Sequence, residues 1–190
     1  MGSVANRIDD RVRAWIEAQK MFFIATAPAG AAGHVNCSPK GLDSFRVLDA
    51  ATIAYLDFVG SGVETIAHLR ENGRICVMFC AFEGAPKILR LHGRGRVVEP
   101  VDPGYEALLA RFVPLPKAAL RAVIVVDVAR VAESCGYGVP LYQHAGEREQ
   151  MGAWCERKGK QGALDYQREK NRRSLDGLPG LAWPDAEPKH

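Results

Sequence analysis

The sequence predicts a mainly β chain with helices, an antiparallel β-barrel plus α of about seven strands. Three observations carry that expectation. Apolar or alternating runs of strand length recur between residues 21 and 135. Short turns join most of them, which disfavours an alternating α/β sheet. A single helical pattern interrupts the series after the fourth strand, as in barrels with helical trimmings.

The elements follow in chain order. Residues 6 to 20 carry Ile8, Val12, Trp15 and Ile16 near three- and four-residue spacing, which predicts a helix. Met21 to Ala27 reads as a strand ended by Pro28 and a Gly/Ala-rich loop. His34 to Cys37 is a second short strand, broken by Ser38-Pro39-Lys40-Gly41. Phe45 to Leu48 and Thr52 to Phe58 are the next two, with a tight turn at Asp49-Ala50. Ser61 to Asn72 is a helix: Ser61 and Glu64 match a capping box, and Asn72-Gly73 is a stop signal. Arg74 to Phe82 is an apolar strand. Lys87 to Glu99 is a long strand, Asp102 to Phe112 a helix, and Arg121 to Cys135 a final long strand. Residues 1–145 form the expected barrel with its N-terminal helix. Residues 146–190 form a C-terminal helical segment and a Pro/Gly-rich arm that packs on the barrel or on a partner.

Composition narrows the function. The chain has 190 residues, 47% hydrophobic and 25% charged, which suits a domain with a sizeable core. A net charge of +3 does not indicate nucleic acid. The longest apolar runs are far short of a membrane span. No apolar stretch follows the charged N-terminus, so no signal peptide is read and the cytoplasm is the expected compartment. Cys37, Cys76, Cys80, Cys135 and Cys155 are scattered without a C-x-x-C spacing, which points to neither a disulfide framework nor a zinc site. No Walker A, G-x-G-x-x-G, H-E-x-x-H or G-x-S-x-G pattern occurs. The hard chemistry therefore falls to a bound cofactor.

Several residues are candidates for an anion site. Arg46 sits between Phe45 and Val47, where a cation is costly unless paired. It reads as a phosphate ligand, as a surface-facing Arg on an alternating strand, or as the partner of Asp43 or Asp57. The helix start at Ser61, Gly62 and Thr65 offers donors to an anion, unless Ser61 and Glu64 merely cap each other. Lys40 is a second cation beside the Arg46 strand, or a turn lysine. Arg90, His92, Arg94 and Arg96 share one face under period-two alternation, with Leu89, Leu91 and Val97 on the other. That stripe reads as an anion site, a dimer seam or a solvated face. His34 reads as a loop histidine with a structural hydrogen bond.

Taken together, Gly33-His34-Val35-Asn36-Cys37-Ser38-Pro39-Lys40-Gly41, Phe45-Arg46-Val47-Leu48, Ala54-Tyr55-Leu56-Asp57, the Ser61-to-Asn72 helix and Leu89 to Gly95 resemble the pyridoxamine 5'-phosphate oxidase-like family. The resemblance implies a six- to seven-stranded split barrel of the FMN-binding type, homodimeric, with FMN between two chains. It implies that Arg46 meets the FMN phosphate and that Ser61, Gly62 and Thr65 lie beside it. The backbone around Val47 and Leu48, and around Tyr55, Leu56 and Asp57, would face the isoalloxazine ring. Arg90 would reach flavin or substrate across the seam. The chain departs from true pyridoxamine phosphate oxidases where they carry an Arg-Lys pair, having Glu64 and Thr65 there. Their C-terminal Trp and Arg have no alignable counterpart among Trp154, Trp183, Arg172 and Arg173. The implied activity is an FMN-dependent oxidoreductase acting on a small molecule. The rivals are a non-catalytic flavin-binding or sensing module, and a split barrel using deazaflavin F420 or haem, with His34, His68 or His92 as axial candidates.

Overall fold

The computed structural model describes residues 2–113 and 120–183. Its elements are β1 (Ser3–Ala5), α1 (Asp10–Glu17), β2 (Phe22–Thr26), β3 (Asn36–Lys40), β4 (Phe45–Val47), β5 (Thr52–Phe58), α2 (Glu64–Asn72), β6 (Arg74–Cys80), β7 (Ile88–Val98), α3 (Tyr105–Leu109), β8 (Leu120–Ser134) and α4 (Gln150–Lys170). All pairings are antiparallel, in the order β3-β2-β6-β7-β8-β5-β4, with β1 on the far end of β8. Among the described residues the sheet thus has eight strands, one more than expected. It is a curled half-barrel, since β3 and β4 end the order without pairing each other.

Period-two alternation sorts the side chains onto two faces. The inner face gathers Ile24, Ile53, Tyr55, Val77, Phe79, Leu89, Leu91, Ile124 and Val126, closed off by Val12 and Ile16 of α1 and Ile66 and Leu69 of α2. Burying each such side chain is worth roughly 1.5–3 kcal/mol. The outer face of β5 and β8 forms a second cluster of Ala54, Leu56, Val123 and Val125, covered by Tyr105 and Leu109 of α3 and Cys155 of α4. Arg90, His92, Arg94 and Arg96 all lie opposite Leu89 and Leu91, because the bulge at His92/Gly93 places its extra residue on β8.

Several boundaries differ from expectation for identifiable reasons. Strand β3 runs through Ser38, Pro39 and Lys40. Pro39 pairs with Phe23 on the edge of the sheet, where a missing N–H costs no ladder bond. Helix α1 starts at Asp10 because the Asp9 carboxylate accepts from the Val12 N–H at 2.7 Å. Helix α2 starts at Glu64, and the Ser61–Glu64 capping box does not form: its N-cap, Val63, has no side-chain cap bond. The stop at Gly73 is a left-handed cap with φ of 69°. Helix α4 breaks at Gly159, whose φ is 66°.

The C-terminal arm packs on this same chain. Asn171 is buried and donates to Gly60 O at 2.9 Å, Leu181 enters the inner cluster, and Arg70 joins Gly180 O to the buried Glu99 carboxylate. A Cβ on Gly180 would strike Asn171 O and lie 2.9 and 3.0 Å from the Val63 methyls. Gly180→Ala is therefore expected to cost about 1–3 kcal/mol through overpacking. Urea unfolding and earlier proteolytic release of the arm would register it.

Candidate functional site

The loops at one end of the half-barrel enclose a cavity of about 1340 Å³. Antiparallel pairing brings them together, since Phe22 faces Lys40 and Cys80 faces Ile88 at that end. The barrel side is lined by Pro39, Lys40, Gly41 and Leu42 after β3, Val59 and Gly60 after β5, Phe82 to Gly84 between β6 and β7, and Ala18 to Met21. The opposite side comes from residues 142–148, Gln150, Met151, Trp154 and Tyr166.

Three charges stand beneath this wall. Asp57 is fully buried on the last inward turn of β5. It accepts from Lys40 Nζ at 2.9 Å and from Arg121 Nε at 2.7 Å. Arg121 in turn donates to Gly62 O at 2.6 Å, tying β8 to the lead-in of α2. Burial alone would raise the Asp57 pKa, but Arg121 and Lys40 outweigh it and hold the carboxyl at about 2. The arrangement fixes the Lys40 side chain at the cavity wall.

The other expected residues scatter. Arg46 gives Nη1 and Nη2 to the Asp43 carboxylate at 2.8 and 2.9 Å and Nε to Arg111 O at 3.1 Å, and its guanidinium lies 5.2 Å from the centre of the Phe112 ring. The pairing with Asp43 is the one realised, on a turn where Leu42 and Asp43 both take positive φ, 62° and 50°. Phe112 belongs to the outer cluster and Val63 to the inner one. Arg46 and the tip of α2 thus lie on opposite faces of the sheet and do not converge on one anion. The tip is also occupied: Glu64 turns back against Gly62 and accepts from the Leu175 N–H at 3.2 Å, while Thr65 Oγ1 accepts from Asn36 Nδ2 at 3.0 Å. Ser61 is exposed beside it.

Val47 and Tyr55 point into the inner core, Leu56 into the outer one, and Leu48 packs against the outer one. The Tyr55 hydroxyl is buried without a partner, and burial pushes its pKa up. Arg90 lies on the outer sheet face, bonded to Ser134 Oγ at 3.1 Å. His34 Nδ1 meets Asp176 Oδ1 at 2.6 Å, and His68 Nδ1 meets Thr26 Oγ1 at 3.0 Å inside the barrel. His92 pairs with Cys76 on the sheet. None of these three histidines lines the cavity. Of the eleven expected site residues, Lys40 lines it, with Asp57 directly behind.

Sequence reasoning missed Arg121, Phe82, Tyr142, Trp154 and Tyr166. Arg121 had a usable signal. A lone cation opening the apolar run Ala122 to Val126 needs a carboxylate, and Asp57 inside another apolar strand needs a cation. Phe82 ends an apolar strand and reads as core, while Tyr142, Trp154 and Tyr166 lie in polar stretches, where nothing in the pattern marks them as a wall.

The family model for pyridoxamine 5'-phosphate oxidase matches residues 8–135. The chain belongs to the pyridoxamine 5'-phosphate oxidase family. Among curated proteins it is similar to the pyridoxamine 5'-phosphate oxidase family protein ustO of Aspergillus flavus, 43% identical over 189 residues that cover 92% of this chain and 76% of that one. Among solved structures it resembles a variant of HupZ from Group A Streptococcus, with a TM-score of 0.51 and 24% identity over 67% of this chain and 99% of that one. It also resembles a candidate pyridoxamine 5'-phosphate oxidase from Lactobacillus delbrueckii, with a TM-score of 0.50 and 18% identity over 67% and 94%. These likenesses extend the split-barrel fold to this member of the family. The matched residues supply the barrel side of the cavity, whereas residues 142–166 lie beyond the family match.

Proposed function

We propose that this member of the pyridoxamine 5'-phosphate oxidase family binds FMN in the cavity and acts as an oxidoreductase on a small molecule. The observation that carries the reading is Lys40, anchored at the wall of a 1340 Å³ cavity by buried Asp57, which Arg121 braces from behind. The volume exceeds the roughly 300–1,000 Å³ of a single drug-sized site, leaving room for a nucleotide and a substrate. The residues fit the group: one fixed cation suits a phosphate, and the Gly41 and Gly60 backbones allow a flat ring to approach closely. When bound, the flavin supplies hydride exchange at its N5. The chain's part is to hold the phosphate at Lys40 and to keep water out with Leu42, Val59 and Met21. Arg46 takes part only where an anion displaces Asp43 from it.

We further propose a homodimer through the outer face of β2, β3 and β6. Phe23, Pro39 and Met78 stand in one cross-strand row there beside Arg90. Light scattering should give twice the chain mass of 20.7 kDa.

The visible spectrum of the purified protein, before and after incubation with FMN, tests the cofactor. Flavin absorbance at one equivalent per chain is expected. A protein that stays colourless, or that takes up haem and shows a Soret band, contradicts the reading. Bleaching under NADH or NADPH separates an oxidoreductase from a flavin store that never reduces.

A further inference from the structure

We propose that the segment 142–166 selects the substrate, and that the substrate is a planar aromatic compound held between Tyr142 and Trp154. The proposal rests on reading the cavity as the cofactor and substrate site.

The cavity has two sides of different origin. The barrel side falls within residues 8–135, which the family model matches, and the C-terminal side lies beyond that match. A cofactor common to a family is held by what the family has in common. Discrimination among substrates falls to the side that the family model does not reach.

The C-terminal side is aromatic. Tyr142 stands against Phe82 with ring centres 5.6 Å apart and planes tilted by 47°. Trp154 meets Tyr166 edge-on, with ring centres 5.2 Å apart and planes at 73°, and packs with Met151 and Leu42 against the outer cluster. Tyr142 is pinned rather than loose: its N–H donates to Phe82 O at 2.9 Å, so the extended strap 136–149 is fastened to the β6–β7 turn at this ring. Yet Tyr142 remains 64% exposed, a large ring held in place with its surface uncovered. Nearby carboxylates are already engaged. Glu83 accepts from the His144 N–H at 3.0 Å, and Glu147 meets His144 Nε2 at 3.3 Å. Ring faces favour a flat π-system through offset or edge contacts.

The test compares two acids of equal charge and similar bulk, 2-naphthoate and its fully saturated counterpart, decahydronaphthalene-2-carboxylate. Isothermal calorimetry is run on the protein as purified, and FMN content per chain is read from absorbance in parallel. Wild type is expected to prefer the naphthoate about tenfold. Tyr142→Leu and Trp154→Leu, which keep apolar volume, should bring the two acids within about twofold while FMN per chain stays the same. Tyr142→Leu changes an exposed strap residue and keeps the test valid should Trp154→Leu fail to fold. Equal binding of both acids by wild type overturns the proposal, as does a preference that survives in Tyr142→Leu. Loss of FMN together with naphthoate binding also overturns it, by giving these rings to the cofactor. A protein that takes up no FMN sinks the cofactor reading alone, because the calorimetric preference is read without it.

Discussion

Asp57→Asn should lower the unfolding free energy by about 3–5 kcal/mol, the usual cost of breaking a buried ion pair from one side. Asp57 has no exposed surface and Arg121 only 5% of its side chain exposed. Removing the carboxylate charge leaves the buried Arg121 cation without a counter-charge among the apolar residues of β8, facing only neutral acceptors such as the Gly62 carbonyl. Urea denaturation of the variant checks the figure. The same site gives wild type an acid limb. The folded carboxyl, at about 2, lies below its ordinary value of 3.8. Its contribution is therefore fully present above pH 3.8 and is lost as pH falls through about 2. That contribution is worth roughly 2 kcal/mol, and Asp57→Asn should lack this limb.

Lys40→Met should weaken FMN by about 10- to 100-fold, or roughly 1.5–3 kcal/mol for one charged hydrogen bond. The fold should tolerate it better than the loss of Asp57. Lys40 is 17% exposed, and Asp57 keeps Arg121 as its closer partner at 2.7 Å. The methionine retains the apolar stem, so a change in affinity reports the ammonium alone. Equilibrium dialysis against FMN measures it, and unchanged far-UV circular dichroism excludes a folding defect.

Much of the fold was legible because its signals are local. Strand β5 falls on Thr52–Phe58 as the alternation and its flanking turns require. Gly73 stops α2 through a backbone angle that favours glycine. The open edge between β3 and β4 was not legible, since closure depends on pairings between distant strands. The site was read less well for a related reason. A cation in a strand has a location in the sequence but no direction. Arg46 found Asp43 three residues away and turned to the outer face, whereas Lys40 found Asp57 across the sheet. Ser61 and Glu64 matched a cap by spacing, yet Glu64 serves Leu175, 111 residues on, which no local pattern reveals.

The central claim is that the cavity closed by the C-terminal segment, with Lys40 in its wall, is the flavin site. FMN titrations of wild type, Lys40→Met and Arg46→Met, followed by quenching of flavin fluorescence, test it most directly. The account predicts one FMN per chain in wild type, clear weakening in Lys40→Met, and little change in Arg46→Met. Strong weakening in Arg46→Met with unaltered affinity in Lys40→Met would contradict it.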